Sequence, residues 1–315
     1  MKKLSFVIPC YKSEKTISDV IGRIVRVVQE DGRYDYEIIC VNDGSTDGTY
    51  AVLREIAEKN HKIIAMDLSR NYGQHAALMA GFNSVSGDYV VCIDDDGENP
   101  PEKVFELVDK LVDGDYDWVS AKYTSDDRGI IRRLGSQLNF MVSRILIEQP
   151  KDFEMNSYMV FRRYVCDEII KYTNPYPFVG GLLLRVTRRV ANVEIEREER
   201  ISGTSGYNIK KLVSLWLNSL TAFSEKPLRI ISVLGIIASL AGIIYAIVII
   251  IRKIVNPSIM IGYTSTMAAI MLMGGIILMA LGFVGEYISR LYISANKAPQ
   301  FVIRERYNGG EKKEI

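Results

Sequence analysis

Apolar residues keep two rhythms along the first 200 or so positions. Leu4-Ser5-Phe6-Val7-Ile8-Pro9 is a short, nearly continuous apolar run, the mark of a strand covered on both faces. Ile17, Val20, Ile21, Ile24, Val25 and Val28 then recur at spacings of three and four, which puts one apolar stripe on a helix over 14–30. The strand rhythm returns at 36–41, 63–68, 89–93 and 118–121, and the helical one at 74–84, rich in alanine, and at 101–113. Between them, Asn42-Asp43-Gly44-Ser45-Thr46-Asp47-Gly48-Thr49 reads as a turn into a helix, with Ser45 or Asp47 as N-cap. Alternating strands and helices predict an α/β fold: a Rossmann-like, mainly parallel sheet with helices on both faces.

The pattern changes near Arg229. Residues 230–251 carry no charge, and such a stretch of about 22 residues is long enough to cross a bilayer as a helix. A second stretch, 264–285, holds Ala268, Ala269, Gly274, Gly275, Ala280 and Gly282. Small residues let helices approach closely in lipid, so this stretch is compatible with a homo-oligomer. Lys210, Lys211, Lys226, Arg229, Arg290, Lys297, Arg304 and Arg306 flank the pair, whereas the loop between carries only Arg252 and Lys253. The positive-inside rule then puts the large domain and the C-terminal tail in the cytoplasm, on a multi-pass chain in the inner (plasma) membrane. Residues 211–223 suit an interfacial helix with Trp216 at headgroup depth. The expected organisation is a cytoplasmic domain over 1–208, an amphipathic interfacial helix over 209–229, two transmembrane helices over 230–288 and a cytoplasmic tail over 289–315, disordered beyond Tyr307.

Composition narrows the chemistry. With 315 residues and a net charge of +1, nothing points to nucleic acid. Cys10, Cys40, Cys92 and Cys166 lie far apart without metal-type spacing and read as buried, reduced thiols. The basic then apolar N-terminus is too short for a signal peptide, because Pro9 ends it. No P-loop, HExxH or dinucleotide glycine fingerprint occurs, and His61 and His75 have no nucleophile in a recognisable motif. The candidate chemistry sits in Asp94-Asp95-Asp96, directly after the strand at 89–93. In open α/β sheets ligands gather at that edge. On extended backbone Asp94 and Asp96 share one side and Asp95 faces the other, and two hard oxygen ligands suit Mg²⁺ or Mn²⁺ holding a diphosphate. The competing reading is a solvated acidic turn capping the helix near Pro100.

Four segments in order resemble the family 2 inverting glycosyltransferases of the GT-A fold. Val7-Ile8-Pro9-Cys10-Tyr11-Lys12-Ser13-Glu14 is similar to their opening V-I-P-x-Y-N-E, and Val41-Asn42-Asp43-Gly44-Ser45-Thr46-Asp47-Gly48-Thr49 to D-D-G-S-x-D-x-T. Ser69-Arg70-Asn71-Tyr72-Gly73-Gln74-His75-Ala76-Ala77 resembles R-N-x-G-x-x-A-A, and Asp94-Asp95-Asp96 the metal-binding D-x-D. A narrower resemblance, to polyprenyl-phosphate glycosyltransferases such as dolichol-phosphate mannose synthases and their bacterial two-span undecaprenyl-phosphate relatives, rests on three further segments. These are Arg200-Ile201-Ser202-Gly203-Thr204-Ser205-Gly206-Tyr207 with Lys210-Lys211-Leu212, then Ser224-Glu225-Lys226-Pro227-Leu228-Arg229, and Gly282-Phe283-Val284-Gly285-Glu286-Tyr287-Ile288-Ser289-Arg290.

The resemblance implies roles. Pro9, Tyr11 and Glu14 would frame the base and ribose, Asp43 would bond the base, Arg70 would touch phosphate or tie its loop to the sheet edge, and Asp95 counts with this nucleotide-binding set. Asp94 and Asp96 would hold the metal, with Glu98, where relatives carry Gln, a further catalytic candidate. Many relatives have G-D-F-R-L where this chain has Asn156-Ser157-Tyr158-Met159-Val160, so Ser157 stands at the position of a proposed general base. Either Asp152 or Glu154 reaches in instead, or the acceptor phosphate, dianionic at neutral pH with a second pKa of about 6, needs no base; the second reading is preferred. Two clusters would bind the acceptor phosphate: Lys122, Arg132 and Ser136, and Arg200, Ser205, Tyr207 and Lys210. The expected activity moves one sugar from a nucleotide-sugar donor, UDP-hexose or UDP-N-acetylhexosamine, to undecaprenyl or another polyprenyl phosphate with inversion. A processive polysaccharide synthase is disfavoured, since neither Trp118 nor Trp216 lies in a Q-x-x-R-W motif. A non-catalytic scaffold or translocation partner is disfavoured by the intact Asp94 and Asp96.

Overall fold

The computed structural model describes residues 1–124, 149–196, 198, 262–296, 298–309 and 311–313, and scattered positions between 233 and 256. The chain divides into two compact units, Met1–Leu212 with Lys297–Ile315, and Val213–Asn296.

The first unit is built on one sheet. Its elements run β1 (Lys3–Cys10), α1 (Ile17–Asp31), β2 (Asp35–Asn42), α2 (Thr49–Lys59), β3 (Ile63–Leu68), α3 (Gln74–Phe82) and β4 (Tyr89–Cys92). A 3₁₀ turn at Pro101–Lys103 leads into α4 (Val104–Asp113), followed by β5 (Trp118–Tyr123), β6 (Met159–Arg162), α5 (Arg163–Ile169), α6 (Val179–Val186) and β7 (Val190–Ile195). From the far end of the chain come β8 (Ile303–Asn308) and β9 (Glu311–Lys313). The strand order is β7-β5-β6-β4-β1-β2-β3-β8-β9. β4, β1, β2 and β3 form the expected parallel centre. β6 enters antiparallel between β4 and β5, so the sheet is mixed.

Every residue of β1 after Lys3 is buried, which explains its lack of strict alternation. On one face Phe6, Ile8, Ile38, Cys40 and Val91 meet the stripes of α1, α2 and α4. The other face carries α3, whose residues Ala76 to Phe82 are all buried. A Cβ on Gly81 would come within 2.4 Å of Val7 Cγ1, so only glycine lets α3 lie this close to β1. All four cysteines are buried and free.

The tail differs from expectation. Beyond Tyr307, where disorder is expected, Asn308 ends β8 and Glu311–Lys313 forms β9, which pairs antiparallel with β8; β8 itself pairs antiparallel with β3. Glu311, Lys312 and Lys313, whose polarity suggests disorder, belong to the edge strand β9, and edge strands commonly carry such charges.

In the second unit, the described residues between 233 and 255 are helical. α7 (Tyr263–Ala295) has 33 residues, and at 1.5 Å per residue it is about 50 Å long. Its segment Leu272–Ser289 is long and apolar enough to cross a membrane, the one such helix among the described residues. Leu278 and Leu291 are 71% and 70% exposed in the protein alone. The expected interfacial helix at 211–223 lies outside the described residues.

Candidate active site

The C-terminal ends of β1, β2, β3 and β4 point to one edge of the sheet, and the loops that follow them are tied together there. After β1, Tyr11 N–H donates to Asp95 Oδ2 at 2.9 Å, and Lys12 N–H to Ser45 Oγ at 3.0 Å. Lys12 has a φ of 58°. Glu14 Oε2 accepts from Gly48 N–H at 3.0 Å, and Thr16 Oγ1 donates to the Asp95 carbonyl at 2.7 Å. The first loop therefore spans the turns after β2 and β4. Pro9 is buried inside β1, whereas Tyr11 is 47% exposed.

The turn after β2 packs directly on the loop after β3. Gly44 has a φ of 61°, and a Cβ there would sit 2.4 Å from Arg70 C. Asp43, buried, accepts from Tyr72 N–H at 2.7 Å through Oδ1 and from Gly73 N–H at 2.9 Å through Oδ2. Burial pushes its carboxyl above the ordinary range, against the pull of those two donors. In this arrangement Asp43 shapes the 70–73 loop; each oxygen keeps a lone pair for a further donor. The Arg70 guanidinium lies 4.7 Å from the Tyr72 ring centre, and the Tyr72 hydroxyl is 3.0 Å from Ser69 Oγ.

The three aspartates after β4 turn to different partners. Asp94 Oδ1 accepts from Gln74 Nε2 at 2.8 Å, at the first position of α3, and Oδ2 accepts from Ser157 Oγ. Asp95 keeps some exposed surface, but its carboxylate turns in under the first loop. Burial pushes it up to about 6, partly opposed by Tyr11 N–H. Asp96 Oδ1 accepts from Glu98 N–H at 3.1 Å, an Asx turn. The Glu98 carbonyl receives Glu198 N–H at 3.2 Å, and Arg23 pairs with both Glu102 and Glu198. Tyr123, at the end of β5, donates its hydroxyl to Asn99 Oδ1; burial raises its pKa, and Asp94 and Asp96 raise it further.

Among the described residues no group of three or more His, Cys, Asp and Glu forms a ready metal cage. The donor set still fits Mg²⁺ or Mn²⁺. These hard cations take one or two carboxylates and fill their other positions with phosphate oxygens and water, and Asp94 and Asp96 would supply those carboxylates at the strand end.

Ser157 also donates weakly to Asn156 Oδ1 at 3.3 Å. Glu154 is clamped through its backbone to Asn192, and Asp152 is exposed. Lys122 is exposed and pairs with Glu194 of β7 at 3.0 Å. Arg132, Ser136, Arg200, Ser205, Tyr207 and Lys210 lie outside the described residues. Sequence reasoning missed Gln74 and Tyr123 at the site; Gln74 stands inside a motif already singled out, while Tyr123 carries no local signal.

Comparison with known proteins agrees with this layout. The family model described as glycosyl transferase family 2 matches residues 5–170, and one described as the GtrB C-terminal hairpin matches 226–291. The chain is 31% identical over 312 residues to the uncharacterized glycosyltransferase YkcC of Bacillus subtilis, covering 99% of this chain and 96% of that one. It is 32% identical over 310 residues to the undecaprenyl-phosphate 4-deoxy-4-formamido-L-arabinose transferase of Proteus mirabilis, covering 97% and 94%. Among solved structures, glucosyl-3-phosphoglycerate synthase from Mycobacterium tuberculosis, in complex with Mn²⁺, UDP-glucose and phosphoglyceric acid, has the same fold. It aligns with a TM-score of 0.53 at 23% identity over 70% of this chain and 78% of that one. With strand-end aspartates, a GT-A sheet and relatives matched end to end, the chain belongs to glycosyltransferase family 2.

Proposed function

We propose that this glycosyltransferase moves one sugar from a nucleotide-sugar donor to the phosphate of undecaprenol or a similar polyprenol, inverting the anomeric carbon. The observation that carries the reading is the Asp94 carboxylate. It stands at the β4 edge, oriented by Gln74 and Ser157 and followed by Asp96, in a chain similar along its length to an undecaprenyl-phosphate sugar transferase.

The chain's own residues do the following work in this reading. Tyr11, Glu14, Asp43 and Arg70 frame the nucleotide on the β1–β3 side. Asp95, turned inward, fixes the first loop. A divalent cation held by Asp94 and Asp96 would neutralise charge gathering on the departing nucleoside diphosphate. Ser157 donates its proton to Asp94 and therefore orients that carboxylate instead of acting as a base. No base is required. A phosphate monoester with a second pKa of about 6 is mostly dianionic at neutral pH. Its oxygen attacks the anomeric carbon from the face opposite the leaving group, the bond to the diphosphate oxygen breaks, and no proton is transferred. Catalysis reduces to alignment and charge neutralisation. Glu98 borders the cation position through the Asp96 turn.

The proposed setting is the inner (plasma) membrane, with two spans and a cytoplasmic catalytic unit. The apolar stretches at 230–251 and 264–285, their basic flanks and the hairpin match over 226–291 support it. The test supplies full-length protein with radiolabelled UDP-, GDP- and dTDP-sugars, undecaprenyl phosphate and Mn²⁺. Wild type should form a metal-dependent lipid product, and Asp96→Ala should lose at least about 100-fold in rate. Absence of such a product with every donor overturns the reading.

A further inference from the structure

The segment that follows α7 in the chain does more than cover a sheet edge. It is tied to two loops and to strand β3. Gln300, itself buried, donates through Nε2 to the carbonyls of Tyr172 and Asn174 at 3.2 and 2.9 Å. The Val302 carbonyl accepts from Ser69 N–H at 2.9 Å. β8 pairs with β3, and its register shifts between Asp67 and Leu68, where the chain turns into the 69–73 loop. At that point Arg304 Nε donates to Asp67 Oδ2 at 2.6 Å, with a second guanidinium contact to the same oxygen.

Asp67 is fully buried, while the Arg304 side chain is 65% exposed and lies over it. The other Asp67 oxygen accepts from Asn42 Nδ2 at 2.7 Å. Asn42 Oδ1 in turn accepts from Ser45 N–H at 3.3 Å, and Ser45 Oγ accepts from Lys12 N–H. A continuous line of contacts therefore runs from Arg304 through Asp67 and Asn42 to the turn carrying Asp43 and the loop carrying Tyr11. Among the described residues Arg304 is the cation in direct contact with the Asp67 carboxylate, and such charge-assisted hydrogen bonds are the strong ones.

We propose that residues 300–308 form a strap that holds the nucleotide-side loops in register, with Arg304 as a positioning residue for the nucleoside diphosphate of the donor. The strap rests on the functional reading above only for the identity of that ligand. Arg304 touches no donor group; it acts through Asp67 and the 69–73 loop.

The test uses the full chain in lipid nanodiscs with Mn²⁺, UDP as the probe, and Arg304→Ala, Arg304→Lys and Asp67→Asn/Arg304→Gln variants. Arg304→Ala should weaken UDP binding by about tenfold and raise the donor KM alike, the scale of a small misplacement at a binding loop. Its kcat and acceptor KM should stay within about twofold of wild type. Without nucleotide, the Tyr72 and Gly73 amides should exchange faster. Arg304→Lys should recover most of the UDP affinity. If Arg304→Ala does not fold, the double variant, which removes the buried charge, should fold and show the same weakened UDP binding. Unchanged UDP affinity in a folded variant overturns the strap, as does a fall in kcat that leaves both KM values unchanged. So does failure of both variants to fold, which would make the contact a stability element alone. A wild type that binds no UDP, GDP or dTDP sinks the functional reading instead; amide exchange at 69–73 then still tests the strap.

Discussion

Gly44 shows how much a single position carries. Its φ of 61° is costly for any residue with a Cβ, and that Cβ would also meet backbone atoms of Arg70 and Asn71 at 2.4 and 2.6 Å. The left-handed conformation alone costs about 1–2 kcal/mol, and backbone cannot move aside as a side chain can. Gly44→Ala should therefore lose about 2 kcal/mol or more of stability and part the two loops. A drop in thermal midpoint together with weaker UDP binding would register this; a variant matching wild type in both would refute it. The sequence marked Asp43 and Gly44 as a functional turn. It did not reveal that both Asp43 oxygens are engaged by Tyr72 and Gly73, 29 and 30 positions away. A motif reports which groups are present, while their direction depends on the loop packed against them.

At the scale of an element, α3 is the informative case. Its alanines announced a helix, but no polar face accompanied them, because every residue from Ala76 to Phe82 is buried. His75, just before them, is half-buried; its ring meets Phe178 edge-on at 5.2 Å and its buried Nδ1 has no hydrogen-bond partner among the described residues. Burial lowers its pKa to about 4 from an ordinary 6.5. Between those values the unfolded chain takes up a proton that the folded chain refuses. The His75 contribution is thus intact above pH 6.5 and shrinks as pH falls toward 4, by about 2 kcal/mol at pH 5. Thermal midpoints of wild type and His75→Leu at pH 7.5 and 5 provide the measurement. The variant should lose less on acidification, and equal losses would rule out His75 as the source.

For the whole molecule, the sheet is completed only by residues that come after the apolar stretches. A chain cut at residue 212 loses β8 and β9 and bares the β3 edge, which invites strand pairing between copies. A chimaera that deletes 213–296 and joins the ends through a flexible linker should instead stay monodisperse and bind UDP. Size-exclusion profiles of the two proteins decide this, and a well-behaved chain cut at 212 would contradict it. The sequence by itself determined what depends on neighbours a few residues apart. That includes the strand and helix rhythm, the parallel centre, the burial of the cysteines, the acidic run at the end of β4 and the apolar stretches at 230–251 and 264–285. Tertiary structure alone decided the insertion of β6 between β4 and β5, the hold of Ser157 on Asp94, and the return of Arg304 to Asp67. The last two join residues 63 and 237 positions apart, and such pairings leave no period in the chain. Glu311-Lys312-Lys313 reads as part of a disordered tail because an edge strand carries charge; only the open hydrogen-bonding edge of β8 makes it a strand.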